Sequence, residues 1–112
     1  MCERILGLTA FDTDVELEVS GGMNRPPYNK DEKITALFEH AKILAREIGF
    51  ELEDVVKTGG GSDGNFTAAI GVPTLDGLGA DGYGAHSDYE HIYYSSLEPR
   101  TRLMLRLFQT LS

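Results

Sequence analysis

The sequence has one cysteine, no tryptophan and few basic residues. Cys2 cannot form an intramolecular disulfide, and a single cysteine also excludes a cysteine-rich zinc site. Lys and Arg together number 10 against 18 Asp and Glu, which gives a formal net charge of −8. A surface with this charge repels phosphate backbones and anionic lipid headgroups. We therefore expect neither nucleic acid nor a membrane surface as a partner.

Long apolar runs are missing as well. No stretch approaches the roughly 20 apolar residues that span a bilayer, and the N-terminus lacks the basic-then-apolar layout of a signal peptide. We expect a soluble, untargeted and cytoplasmic protein. Its 112 residues fit one domain that can bury a core without disulfides.

The N-terminal third has one strand pattern and one break. Residues 14–19, DVELEV, alternate acidic and apolar side chains, which predicts a half-buried strand. The following stretch, SGGMNRPPYN, contains Gly-Gly and Pro-Pro pairs that interrupt regular structure. We place a boundary between two structural units there.

Apolar side chains recur with helical spacing in three segments, which predict helices near residues 31–48, 62–70 and 97–111. Asn29 is a candidate N-cap of the first helix, with Glu32 three residues on, and Gly49 is placed to end it. Ser95 and Glu98 have capping-box spacing at the start of the third helix.

Short strands are predicted in FELEDVVKT and VPTLDGL, residues 50–58 and 72–78. The order helix, strand, helix, strand, helix is typical of an α/β layer, here with two or three mostly parallel strands and three helices. Ligands bind such layers at the carboxyl ends of the strands. Nine of the 13 glycines fall between residues 57 and 85, and most of them lie in the two loops that follow these strands, so we expect the binding site there.

The first loop, GGGSDGN, leads directly into a predicted helix. A helix N-terminus presents unpaired N–H groups, and the glycines would let a carboxylate or phosphate approach the backbone. The loop is not a Walker loop, because its lysine, Lys57, precedes the glycines. A plain strand-to-helix turn, capped by Ser62 or Asp63, explains the same residues, so both interpretations stay open.

The second loop, GYGAHSDYEH, holds His86 among small residues and near two carboxylates, Asp88 and Glu90. An imidazole in this setting can ligate a metal, and a carboxylate can fix its tautomer. These residues are too crowded in sequence to be assigned to one ion. We interpret His40 and His91 as surface or packing residues.

At these two loops the sequence resembles a known family. TGGGSDGNFTAAIGVPTLDGLG, then GYGAHSDYEHI and a Leu-rich helix, are similar to the carboxyl-terminal part of the zinc metallopeptidases that include glutamate carboxypeptidase, aminoacylase and succinyl-diaminopimelate desuccinylase. SGGMNRPP and its helix resemble the glutamate carboxypeptidase-like branch. The similarity covers nearly the whole chain, in order and with natural spacings.

The resemblance implies roles for individual residues. The glycine-rich turn would receive the free carboxylate of a small-molecule or peptide substrate through Gly60, Gly61 and Ser62. Gly82 and Tyr83 would form the rim of the substrate site. His86 would be a zinc ligand. Members of the family use two zinc ions, a bridging water and a glutamate base to hydrolyse an amide next to a carboxylate.

The chain departs from the family in length. The other ligands and the general base lie upstream in the family, and no matching motif occurs here, so we expect no catalytic residue in this chain. Residues 1–21 resemble a remnant of the inserted lid or dimerisation domain, and residues 22–112 the C-terminal part of the catalytic domain. The implied fold is a truncated zinc-exopeptidase-like layer.

Two functions follow. The first is a C-terminal fragment of a zinc-dependent carboxypeptidase or amidohydrolase, inactive alone. The second is a non-enzymatic domain derived from that family that binds anions or forms oligomers. Uncovered apolar surface would favour a homo-oligomer. Lys57 is either a charge for an acidic substrate side chain or a solvated lysine.

Overall fold

The described part of the chain combines helices with one very short sheet. A computed structural model describes residues 2–55 and 58–111. Within these ranges lie α1 (Cys2–Leu6), α2 (Glu32–Ile48), α3 (Gly64–Ala69), β1 (Gly82–Tyr83), β2 (His91–Ile92) and α4 (Leu97–Thr110), and a 3-10 turn at Tyr94–Ser96 precedes α4. The mixed α and β content agrees with the predicted class. Helices α2, α3 and α4 lie in the three segments predicted as helical, and α1 is a further helix that was not predicted.

Helix α2 is the longest element, and its two ends differ in how well the sequence predicted them. Gly49 ends it in the left-handed conformation, at φ 107°, as expected. The predicted N-cap, Asn29, is wrong. The helix begins at Glu32, and the N-cap is Asp31, whose backbone is extended. The Asp31 carboxylate accepts a 2.8 Å hydrogen bond from the N–H of Ile34.

The core lies where α2 packs against α4. Its buried members are Ala41, Leu44 and Ala45 of α2, Leu52 beyond it, and Leu103 and Leu107 of α4. Small alanines let the two helices approach closely, and leucines fill the space between them. An ion pair between Glu47 and Arg106, at 3.0 Å, and a 2.7 Å hydrogen bond between His40 and Thr110 join the helices at their exposed edges.

The predicted strands are not formed in the described residues. The one strand pair there is antiparallel, with Gly82 opposite Ile92 and Tyr83 opposite His91, so the parallel layer is not seen. Residues 14–19, 50–55 and 72–78 contain no strand, and Val56 and Lys57 lie outside the described residues. An alternating pattern marks a face suited to a sheet, but a strand forms only when a neighbour pairs with its backbone.

The chain is elongated. Its radius of gyration is 19.5 Å, whereas a compact domain of this size has about 13 Å. Between α1 and α2 the backbone has no regular element, and Phe11 in this stretch is fully exposed.

Among the described residues, no helix is both long and apolar enough to cross a membrane.

Candidate functional site

The glycine-rich turn is held by its own polar side chains. The Asn65 carboxamide oxygen accepts a 2.9 Å hydrogen bond from the N–H of Ser62, and the Ser62 hydroxyl accepts one of 3.0 Å from the N–H of Gly64. Asn65 also donates to the Pro26 carbonyl at 2.8 Å. The turn therefore uses the Ser62 N–H internally. No hydrogen bond from the N–H groups of Gly60 or Gly61 occurs within residues 2–55 and 58–111.

The expected capping of α3 differs in detail. Asp63 occupies the N-cap position in a helical conformation, and its side chain makes no capping bond. The Ser62 hydroxyl reaches the first residue of the helix instead. The short turn thus closes on itself, and the Asp63 carboxylate is left to interact elsewhere.

Arg25 lies beside this turn, and sequence reasoning missed it. Its guanidinium pairs with the Asp63 carboxylate at 3.0 Å and lies over the Phe66 ring, 5.1 Å from the centroid. A Cβ added to Gly61 would lie 3.5 Å from Arg25 Cδ. A cation therefore borders the glycines predicted to receive a carboxylate. Its segment, SGGMNRPP, has the composition of a linker, so no local pattern in the sequence points to this contact.

A groove of about 880 Å³ adjoins the turn. Its lining includes Gly60 and Ser62, together with residues from the start of α2 and from the segments 51–55 and 75–78. Volumes of this order are usual for ligand sites. Gly82, Tyr83 and His86 are not among the lining residues, so the two predicted parts of the substrate site do not meet in this groove.

His86 lies on the loop between β1 and β2. It is exposed, and its backbone is in the left-handed region, at φ 65°, which few non-glycine residues adopt. Its N–H donates to the Glu90 carboxylate at 3.3 Å, and the Ser87 hydroxyl donates to the Gly84 carbonyl at 2.5 Å. These bonds shape the loop and leave the imidazole of His86 accessible.

Tyrosines surround the strand pair that carries this loop. Tyr83 stacks on Tyr89 with ring centroids 6.3 Å apart and lies 6.4 Å from the His91 ring. His91 Nδ1 lies 2.8 Å from the Tyr89 carbonyl, so this nitrogen carries the proton and donates. His91 therefore packs with the tyrosines, in agreement with its interpretation as a packing residue.

The predicted zinc ligand, His86, belongs to no metal-binding cluster among residues 2–55 and 58–111. Within the described residues, no group of three or more His, Cys, Asp or Glu side chains could hold a metal ion. Catalytic zinc takes about three protein ligands. His86 offers one exposed imidazole, and the described residues do not form a zinc site. Lys57, the other candidate charge, lies outside the described residues.

Comparisons with known proteins match most of the chain to one family. The model of a family described as Peptidase family M20/M25/M40 matches residues 6–110. Carboxypeptidase G2 of Pseudomonas sp. (strain RS-16) is 34% identical over 101 residues, which cover 89% of this chain and 24% of that relative. The chain thus spans about a quarter of the length of this curated relative. A search of solved structures gives no significant match.

Proposed function

Because the chain belongs to peptidase family M20/M25/M40, we propose that it is the C-terminal part of the catalytic domain of a zinc-dependent carboxypeptidase or amidohydrolase. The parent enzyme hydrolyses the amide of a peptide or an N-acyl amino acid with a free carboxylate. The observation that carries the proposal is the family match over residues 6–110, which includes both the glycine-rich turn and the His86 loop.

In this proposal the glycine-rich turn binds the substrate carboxylate. Gly60 and Gly61 offer N–H groups, and Ser62 offers its hydroxyl. Arg25 supports this role, since its guanidinium lies next to the turn and pairs there with the Asp63 carboxylate. A charged donor beside backbone donors is a strong arrangement for a carboxylate. Gly82 and Tyr83 would form the rim on the other side of the substrate.

His86 is proposed as one metal ligand of the parent enzyme. Its exposed imidazole on a loop held by backbone and carboxylate contacts suits that role. The remaining ligands and the general base would come from a part of the enzyme that has no counterpart here. We therefore assign no catalytic residue to this chain and expect no hydrolysis by the chain alone.

The proposal also covers the domain boundaries and the strands of the parent enzyme. Residues 1–21 would be a remnant of the lid or dimerisation domain, and residues 22–112 would belong to the catalytic domain. Segments 50–55 and 72–78 would become strands of a mostly parallel layer once neighbouring strands pair with them. The N–H groups of Phe50 and Val72 donate back to the preceding helices, and no other backbone-to-backbone hydrogen bond of these segments occurs among the described residues, which is consistent with this assignment.

A second candidate is a non-enzymatic anion-binding or oligomerisation domain derived from the family. The observation in its favour is that Arg25 and the glycine-rich turn are present while the described residues hold no complete metal site. This candidate predicts carboxylate binding by the chain alone, with no dependence on zinc.

Zinc calorimetry on the isolated chain tests the role of His86. We expect weak binding that is lost in His86→Ala and kept in His40→Ala, which changes a histidine that contacts Thr110 on α4. An assay with an N-acetyl amino acid should show no turnover. Tight binding of two zinc ions, or turnover that disappears in His86→Ala, would instead reveal a complete site in this chain.

A chimera tests the parent activity. Carboxypeptidase G2 would carry residues 6–110 of this chain in place of its own matching segment. We expect peptide hydrolysis by the folded chimera, its loss in His86→Ala and its retention in His40→Ala. A chimera that remains equally active with His86→Ala would contradict the proposed ligand.

A further inference from the structure

The strand pair and its loop, residues 82–92, form a hairpin that is joined to the rest of the chain at its two ends. Within the described residues, every hydrogen bond made by this hairpin stays inside it. The core cluster and the hydrophobic side chains packed against it include no residue of the hairpin. A two-stranded hairpin alone is at best marginally stable in water. Its orientation therefore depends on contacts made by the flanking residues, Asp81 and Tyr93.

Asp81 is held through three of its groups. Its N–H donates to the Ser96 hydroxyl at 2.9 Å, and its carbonyl accepts a 2.8 Å hydrogen bond from the N–H of Tyr93. Its carboxylate accepts a 2.5 Å hydrogen bond from Nη2 of Arg100. Tyr93 and Ser96 follow the hairpin directly along the chain, so their bonds can move with it. Arg100 lies inside α4, and its bond ties the hairpin to the body of that helix.

Arg100 is the fixed partner of this ion pair. Its side chain is only 14% exposed, whereas that of Asp81 is 54% exposed. Its guanidinium lies 5.1 Å from the centroid of the Phe50 ring, and Phe50 packs against the core directly after the end of α2. A guanidinium over an aromatic face is attracted to it. Nη1 of Arg100 is buried and makes no hydrogen bond among the described residues. Arg100 thus connects the end of α2, the body of α4 and the hairpin.

From these contacts we propose that Arg100 is a positioning residue. It acts through the Asp81 carboxylate and sets the orientation of the hairpin against the core formed by α2 and α4. The loop that carries His86 moves with the hairpin, as do Gly82 and Tyr83. Each of these contacts lies inside this chain, so the orientation does not depend on the rest of the parent enzyme. The consequence for hydrolysis rests on the proposed function, and the orientation itself does not.

The first experiment uses the full 112-residue chain and measures residual dipolar couplings of its backbone amides by NMR. In the unmodified chain, one alignment should fit the hairpin together with α2 and α4. Arg100→Met keeps an apolar side chain beside Phe50 and removes the charge. We expect the hairpin couplings to shrink and to leave the common alignment, while those of the two helices stay. The Asp81 carboxylate is half-exposed and remains solvated, so the urea midpoint should change little.

Two further substitutions test whether Arg100 acts through Asp81. Arg106→Met removes another arginine of α4, whose 3.0 Å ion pair reaches Glu47 on α2, and it should leave the hairpin couplings unchanged. Asp81→Asn should reproduce the effect of Arg100→Met. The double variant should show no additional loss, because both substitutions remove the same ion pair.

The second experiment tests the consequence for hydrolysis in the carboxypeptidase G2 chimera. Arg100→Met should lower kcat/KM about tenfold, with the loss mainly in kcat, because a small misplacement of groups at a reacting centre slows the reaction strongly. Arg100→Lys keeps the charge and should recover part of the activity, whereas Arg106→Met should retain all of it. An unmodified chimera without activity, or one that is equally active with His86→Ala, would contradict the proposed function. The dipolar couplings would still decide the role of Arg100.

Three results would overturn the positioning role. Hairpin couplings that stay unchanged in Arg100→Met would show that the hairpin is oriented without Arg100. An equal loss in Arg106→Met would indicate a general loosening of α4. Additive losses in Arg100→Met and Asp81→Asn would show that Arg100 does not act through the Asp81 carboxylate.

Discussion

The hydroxyl of Ser96 holds Asp81 at the base of the strand pair. It accepts a 2.9 Å hydrogen bond from the N–H of Asp81 and donates one of 2.7 Å to the carbonyl of Tyr93. The N–H of Tyr93 in turn donates to the Asp81 carbonyl at 2.8 Å. These three bonds attach the strand pair that carries His86 to the start of α4.

Ser96→Ala should therefore destabilise the protein. The change leaves the Asp81 N–H without its partner beside a buried position, which costs about 1–3 kcal/mol. Urea unfolding measures the free energy, and amide exchange at Asp81 should accelerate. Ser95→Ala, at an exposed neighbouring position, is the control and should change the free energy of unfolding little. Equal effects of the two substitutions would argue against the role of Ser96.

Asp31→Ala tests the N-cap of α2. The Asp31 carboxylate accepts a hydrogen bond from the N–H of Ile34, and loss of such a cap costs about 1 kcal/mol. Asn29→Ala removes the side chain that the sequence pattern favoured and should have almost no effect. Urea unfolding of both variants decides between the two caps. A larger loss for Asn29→Ala would place the helix start two residues earlier than the structure does.

The helices could be predicted from the sequence because their hydrogen bonds are local. The apolar periodicity of residues 31–48 and the glycine at position 49 define α2 without reference to the rest of the chain. The N-cap is harder to predict, since Asn29 and Asp31 both suit it and the choice depends on where the first turn closes. The strand at residues 14–19 depends on a partner, which the periodicity does not reveal.

The sequence singles out individual residues of the candidate site, and their roles stay predictions. Gly60, Ser62 and His86 stand out because a glycine run and a histidine among small residues are unusual patterns. Arg25 does not, since it lies in a segment that reads as a linker and approaches the turn only through the fold. Spatial proximity of residues 25 and 63 is a tertiary contact, and no local pattern encodes it.

Gly82→Ala should open the strand pair. A Cβ at this position would lie 2.2 Å from the His91 carbonyl oxygen and 3.2 Å from Ile92 Cα, so the two backbones would have to separate. The resulting strain costs about 1–3 kcal/mol. Gly79→Ala is the control, because a Cβ there meets no atom within 4 Å. NMR shifts of Tyr83 and His91 should change in the first variant alone. Unchanged shifts in Gly82→Ala would contradict the observed register.

The last prediction concerns Arg25 and carboxylate binding at the glycine-rich turn. Glutamate titrated into the isotopically labelled chain should shift the amide signals of Gly60 and Gly61, whose N–H groups make no hydrogen bond among the described residues. Arg25→Ala should weaken this binding roughly tenfold, because a hydrogen bond to a charged group is lost. Arg46→Ala removes a cation that pairs with Glu51 and is the matched control.

A substitution at Asp63 should have the opposite effect on carboxylate binding. Its carboxylate forms an ion pair with the guanidinium of Arg25, with an N–O distance of 3.0 Å. The Asp63 carboxylate therefore competes with an added carboxylate for the same donors. Asp63→Asn removes that competing charge, and glutamate should then bind more tightly than to the unmodified chain. If Arg25→Ala and Asp63→Asn both leave the titration unchanged, the turn does not use Arg25 for carboxylates. Weakening by the first substitution and strengthening by the second would together assign the anion to the position that Asp63 occupies beside Gly61.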